Sequence, residues 1–150
     1  MGTTWTMFKS YEIGRDIEWP GGDIIRYLER EDLYMGSGTA FHLAMIFEHF
    51  GVLLPVYDWT EPPKGKALDL IHPSYVLTAA ESGLILLRTD KNPQVKAGYS
   101  AVDDEPLEPL FNDEHLQRHS VEQLNHELQS YLEKILLLSG NGHYLVRSFE

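Results

Sequence analysis

The chain contains no cysteine. That absence excludes a disulfide scaffold, thiolate zinc sites, iron–sulfur ligation and cysteine nucleophiles, and it leans toward a reducing compartment. Long apolar runs are missing too, since none approaches the roughly 20 residues a membrane-spanning helix needs. The opening stretch MGTTWTMFKSYEIG offers neither a basic n-region nor an apolar h-region, so it does not read as a secretory signal. Met-Gly at the start invites an acyl-anchor reading, but nothing polybasic follows Thr6. A soluble, cytoplasmic protein is expected.

Positive charge is scarce, with 12 Lys and Arg against 23 Asp and Glu, a formal net charge of −11. Phosphate backbones and anionic lipid surfaces are repelled by such a balance, so neither nucleic acid nor a membrane is an expected partner. A basic protein surface, a cation or a positively charged small molecule is easier to accept. At 150 residues the expectation is one domain spanning residues 1–150. A chain of that length hides roughly 70% of its extended surface on folding, so it needs neither staple nor metal for stability.

The richest apolar stretch is Gly36 to Trp59, GSGTAFHLAMIFEHFGVLLPVYDW. Ser37 or Thr39 can cap a helix beginning near residue 39 or 40. Ala40, Leu43, Ala44, Phe47 and Phe50 then follow helical spacing, and Gly51 supplies the residue that ends it. Val52 to Tyr57 reads as a short buried strand, placed at an edge or a bulge by Pro55. His42 and His49 lie seven apart with Glu48 beside them. They read as histidines with satisfied hydrogen bonds at the core margin rather than as a metal site, which needs a third ligand.

Before that stretch, Thr4 to Tyr11 reads as a strand and Glu12 to Gly22 as a loop carrying Trp19 on a turn. Asp23 can cap a helix from Ile24 to about Met35, with Ile24, Ile25, Leu28 and Leu33 inward. After it, Thr60 to Lys66 is a proline-rich surface turn. Pro73 and Ser74 open a short helix closed by Gly83. Gly83 to Thr89 reads as a buried strand, and Gln94 to Val102 as its hairpin partner. Ser120-Val121-Glu122-Gln123 has the form of a capping box and opens the clearest helix, striped by Leu124, Leu128, Tyr131, Leu132, Ile135 and Leu136 through about Leu138. Gly140-Asn141-Gly142 stops it, and His143 to Phe149 alternates as a closing strand.

Three constellations could carry function. Asp103 to Glu114, DDEPLEPLFNDE, holds six acids, and between Lys96 and Arg118 there is no Lys or Arg. Asp103, Asp104, Glu105 and Glu108, with Leu107, Leu110 and Phe111 interleaved, form a candidate surface for a basic partner; the same apolar residues can instead pin a solvated loop to the core. His115, His119, Glu122 and His126 are spaced by four, three and four, which suits a divalent metal on one helix face. The capping box at Ser120 interrupts that face, and the leucine stripe sends His126 toward solvent. Gly36, Ser37, Gly38 and Thr39 before a helix can cradle an anion, although they lack the lysine of a P-loop and follow an expected helix rather than a strand.

These features lead to an α+β domain whose short, largely antiparallel sheet is covered by helices, with elements in the order β-α-α-β-α-β-β-α-β. The leading functional expectation is an acidic, non-enzymatic protein that docks onto a basic protein partner, in the manner of an inhibitor or immunity-type protein, and needs no cofactor. The alternative is a small-molecule-binding or metal-dependent enzyme centred on Ser37 or on the histidines at 115–126. A subunit of a homo-oligomer is a third reading, marked by an exposed apolar patch.

Overall fold

A computed structural model describes residues 2–15, 22–96, 107–112 and 121–148. Strands β1 (Gly2–Phe8) and β2 (Ser10–Arg15) run antiparallel to β3 (Asp23–Leu28) and β4 (Glu31–Gly36), β1 pairing with β4 and β2 with β3. Gly2 opposes Gly36 and Met7 opposes Glu31; Ser10 opposes Leu28 and Arg15 opposes Asp23. The two halves thus share one register and make a single long ribbon, bent where Lys9 donates to the Leu28 carbonyl and Glu29 takes φ 51°.

The helix expected from Ile24 to Met35 is therefore replaced by two strands, and the loop expected from Glu12 onward begins with strand β2. Glu29 at positive φ cannot belong to a right-handed helix. Ile24, Ile25 and Tyr27 are β-favouring residue types, and the N-terminal strand offers them a complete ladder. Leu33, Tyr34 and Met35 alternate buried, exposed, buried, as strand geometry requires.

Strand β5 (Gln94–Lys96) forms a hairpin with β6 (Leu107–Pro109), and β7 (Tyr144–Arg147) joins the far side of β1. The main sheet has the order β4-β1-β7 and is antiparallel. Its two faces differ by the period of two. Trp5, Met7, Leu33, Met35 and Leu145 enter the core beneath the helices, whereas Phe8 and Val146 join a smaller second core with Ile25 and Leu68.

Helix α1 (Ser37–His49) starts two residues earlier than expected, with Gly36 at its cap and no side-chain cap bond, so neither Ser37 nor Thr39 caps it. Its end is a Schellman motif: Val52 N–H donates to the Phe47 carbonyl at 2.8 Å, Gly51 N–H to that of Glu48 at 2.9 Å, and Gly51 has φ 80°. Phe47 packs on Trp5 with ring centres 6.1 Å apart. Val52 to Tyr57 is not a strand. It touches β7 through one parallel bridge at Val56, with Tyr57 N–H donating to Arg147 and Arg147 N–H to Pro55, both at 2.9 Å. Pro55 contributes only a carbonyl because it has no N–H to continue a ladder.

Helix α2 (Pro73–Thr89) runs straight through Gly83 and absorbs the strand expected after it. Val76, Ala79, Ala80, Gly83, Leu84 and Leu87 are buried at helical spacing. Gly83 is a packing residue: a Cβ there would stand 2.8 Å from Ile46 Cγ2 and 3.1 Å from Leu132 Cδ1. Helix α3 (Val121–Gly140) carries the expected stripe; its proposed cap Ser120 lies outside the described residues. A second Schellman motif ends α3, with His143 N–H donating to Leu138, Gly142 N–H to Ser139, and Gly142 at φ 90°. Helices and sheets share one main core, an α+β arrangement in which all strand pairs between named strands are antiparallel.

Candidate functional site

Of the acidic loop, Asp103, Asp104 and Glu105 lie outside the described residues. Leu107, 55% exposed, and Glu108 stand on strand β6 at the surface. Leu110 and Phe111, at 2% and 1% exposure, are core residues. Asn92 clamps Phe111 from both sides, accepting from its N–H at 2.8 Å and donating to its carbonyl at 3.0 Å. Leu110 N–H donates to Pro93, and Phe111 stacks on the His42 ring. Leu110 and Phe111 thus hold the hairpin to the body, leaving Leu107 and Glu108 as its outward-facing members.

Both central histidines have partners. The His42 ring Nδ1 lies 2.7 Å from the Gly38 carbonyl, which requires the proton on that nitrogen. His49 Nδ1 accepts the Lys96 N–H at 3.0 Å, tying α1 to β5. Burial, and then the charge of Lys96, lowers the His49 pKa. Burial raises that of Glu48, opposed by Arg147. These contacts place both histidines at the margin of the core.

His115 and His119 fall outside the described residues. Glu122 and His126 are exposed on the first turns of α3 and line a cleft of about 580 Å³ that Arg88 and Lys91 also border. Asp90 lies on the same wall, so the lining carries both signs of charge. Among the described residues no group of three or more His, Asp or Glu is placed to hold one. Asn125, buried in the same region, donates to the Leu87 and Lys91 carbonyls and so covers the end of α2.

Gly36 ends strand β4 and Ser37, Gly38 and Thr39 open α1, so this motif follows a strand and not a helix as expected. The strand-to-helix turn is the kind that can receive an anion. Here Thr39 Oγ1 donates to Glu127 Oε2 of α3 at 3.3 Å, so a carboxylate of the chain itself stands beside this helix start.

A second cleft lies on the other face of the main sheet. Thr4 and Tyr34 are directly opposed on β1 and β4, as are Thr6 and Asp32, and Val146 opposes Thr6 on β7. These side chains face away from the helices. The second core covers one part of this face, and the rest is the floor of a cleft of about 410 Å³. Tyr27 and Arg30 from the bent ribbon, and Tyr57 and Trp59 from the following loop, make its walls. Each wall is anchored: Ile25 N–H donates to the Trp59 carbonyl at 2.8 Å, and the Tyr57 hydroxyl accepts the Asp69 N–H at 2.6 Å. Ser148 donates to the Thr4 carbonyl at 2.7 Å.

An ion pair closes the floor. Arg30 Nε and Nη2 reach the Asp32 carboxylate, the shortest contact being 2.7 Å, while Thr6 and Tyr34 hydroxyls donate to the same group. Burial alone would raise the Asp32 pKa, and it is the largest single influence; the bonds from Arg30, Thr6 and Tyr34 together with the Arg30 charge overcome it and hold the carboxyl below its ordinary range. Burial pushes the Tyr27 phenol up to about 12, with Arg30 pulling it down and Tyr57 adding to the rise. Tyr27 is therefore a protonated donor at neutral pH and no base.

None of these residues was marked as a site by sequence spacing. The signal was the strand alternation of Thr4, Thr6, Asp32 and Tyr34, which is legible only once residues 23–36 are read as β. Compared with protein-family models, with curated proteins and with solved structures, the chain matches none.

Proposed function

We propose that the protein is an acidic, non-enzymatic binding module that docks onto a basic protein surface through the β5–β6 hairpin and the acids that lie between its two strands in sequence. The observation that carries this reading is the mounting of Leu107 and Glu108. They stand exposed on a hairpin that Asn92 and the buried Phe111 tie to the core, and Asp103, Asp104 and Glu105 come directly before them in a chain of net charge −11. A rigidly held apolar residue beside a block of one charge sign combines an anchor with long-range steering toward positive surfaces.

A photo-crosslinking residue at position 107, introduced into the protein in its own cells, tests the reading. A single basic protein should be captured there and not from position 75 on α2, where Tyr75 is the more exposed of the two. The combined change Asp103→Asn, Asp104→Asn, Glu105→Gln and Glu108→Gln should then slow association with that protein by about tenfold at low salt, with the difference vanishing at high salt. Equal capture at both positions, or an association rate indifferent to the four changes, removes the hairpin as the interface.

A further inference from the structure

We propose that the cleft on the outer face of the main sheet binds a neutral pyranose, one face of the sugar ring lying on the Trp59 indole and its hydroxyls meeting the hydroxyls and guanidinium of the floor. The proposal is independent of the docking reading, since it concerns the face of the sheet turned away from the helices.

The lining selects this chemistry by what it offers and what it withholds. Thr4, Thr6, Tyr27, Tyr34, Tyr57 and Ser148 all bring hydroxyl groups to the cleft. Thr6, Tyr34, Tyr57 and Ser148 spend their protons on Asp32, on the Asp69 carbonyl and on the Thr4 carbonyl, so their oxygens face the cleft as acceptors beside the Tyr27 and Arg30 donors, a mixture matched by a ligand that both donates and accepts at several adjacent positions. A polyol ring is such a ligand. Trp59 lines the same space at 48% exposure, a broad flat ring left half in water. Its electron-rich face attracts the weakly positive C–H groups that a pyranose presents on one side, the same quadrupole effect that orients aromatic pairs.

Charge narrows the choice further. Arg30 is the only charged residue lining the cleft among those described, and the Asp32 carboxylate 2.7 Å away compensates it. Asp32 engages Nε and Nη2, so Nη1 is left as a donor without a net local charge. An anionic ligand gains little from a guanidinium already paired and is repelled by a chain of −11. A cationic ligand finds no carboxylate among the lining residues to pair with. A purely apolar ligand would offer nothing to the accepting oxygens or to the Tyr27 and Arg30 donors that line the cleft. The volume of about 410 Å³ lies within the range of small-molecule sites.

The test uses the full chain labelled with 5-fluorotryptophan, followed by ¹⁹F NMR during titration with free glucose, galactose, mannose, fucose and N-acetylglucosamine, and in parallel with neutral oligosaccharides ending in each. The Trp59 resonance, identified by its loss in Trp59→Phe, should shift and saturate with at least one sugar, while that of the buried Trp5 stays in place. Movement with a free monosaccharide assigns the ligand to the single ring; movement only with oligosaccharides assigns it to the terminal residue of a glycan. Trp59→Ala, read through Trp5, should leave the fold intact and weaken binding, followed by calorimetry, more than tenfold, and Arg30→Met should weaken it several-fold. Silence of Trp59 toward every neutral sugar and oligosaccharide overturns the proposal. So does tighter binding of glucuronate or sialic acid than of neutral sugars, or undiminished affinity in Trp59→Ala.

Discussion

The Tyr131 hydroxyl of α3 donates a 2.6 Å hydrogen bond to the backbone carbonyl of Tyr34 in β4. Strand β4 is one of the two outer strands of the main sheet, and an open strand edge is a template for pairing with other chains. Tyr131, with Lys134 reaching Glu31 at 3.6 Å one turn on, lays α3 along that edge. The contact therefore couples the last helix to the first ribbon, 97 residues apart in sequence.

Tyr131→Phe should lower stability by about 1 kcal/mol, the usual net worth of one hydrogen bond, measured as a lower urea midpoint. The phenol's pKa is raised, by burial first and the Glu127 charge second. The unfolded chain then ionises more readily than the folded one, so stability is full below the ordinary phenol pKa of 10.0 and is lost as pH rises above it. That alkaline loss should be smaller in Tyr131→Phe; an unchanged alkaline profile would mean that this hydroxyl does not titrate differently on folding.

Gly83→Ala should destabilise the protein even though alanine favours a helix by about 1 kcal/mol over glycine. The new methyl would meet Ile46 Cγ2 at 2.8 Å, on a stiff β-branched side chain, and Leu132 Cδ1 at 3.1 Å. Overpacking of this kind costs about 1–3 kcal/mol. In an Ile46→Ala background the same change should become neutral or stabilising, because the methyl finds room. A double-mutant cycle by urea denaturation that gives additive effects would contradict this close approach.

His49 links the hairpin to α1 only while its Nδ1 is unprotonated and can accept the Lys96 N–H. Its pKa lies below the ordinary 6.5, through burial and then Lys96. The unfolded chain therefore takes up this proton first as pH falls, and stability present above 6.5 is lost progressively below it. His49→Asn keeps an acceptor near the Nδ1 position and removes the titration. Between about pH 7 and about pH 5 its urea midpoint should fall less than that of the parent protein. Equal falls would assign the acid sensitivity to other groups.

Residue type alone determined the punctuation of this chain. Gly51 and Gly142 stop helices because a Schellman turn needs positive φ, which only glycine enters cheaply. The stripe from Leu124 to Ile135 buried itself as its spacing dictates, and Pro73 opens α2 because it surrenders an N–H that the first turn does not use. The pinning of a loop by its apolar members was likewise one of two readings open for Leu110 and Phe111, and their burial selects it. What spacing could not decide was whether a segment finds a partner. Ile24 to Met35 carries apolar residues that suit a helix or a strand, and it is the hydrogen-bond ladder to residues 2–15 that makes it β. Gly83 carries the same letter as a helix stop, and only the approach of Ile46 and Leu132 from two other helices makes it a packing position instead. The aromatic cleft has the same origin. Its walls come from residues 4 to 148, and no local pattern records which side chains meet when a ribbon bends over the face of its own sheet.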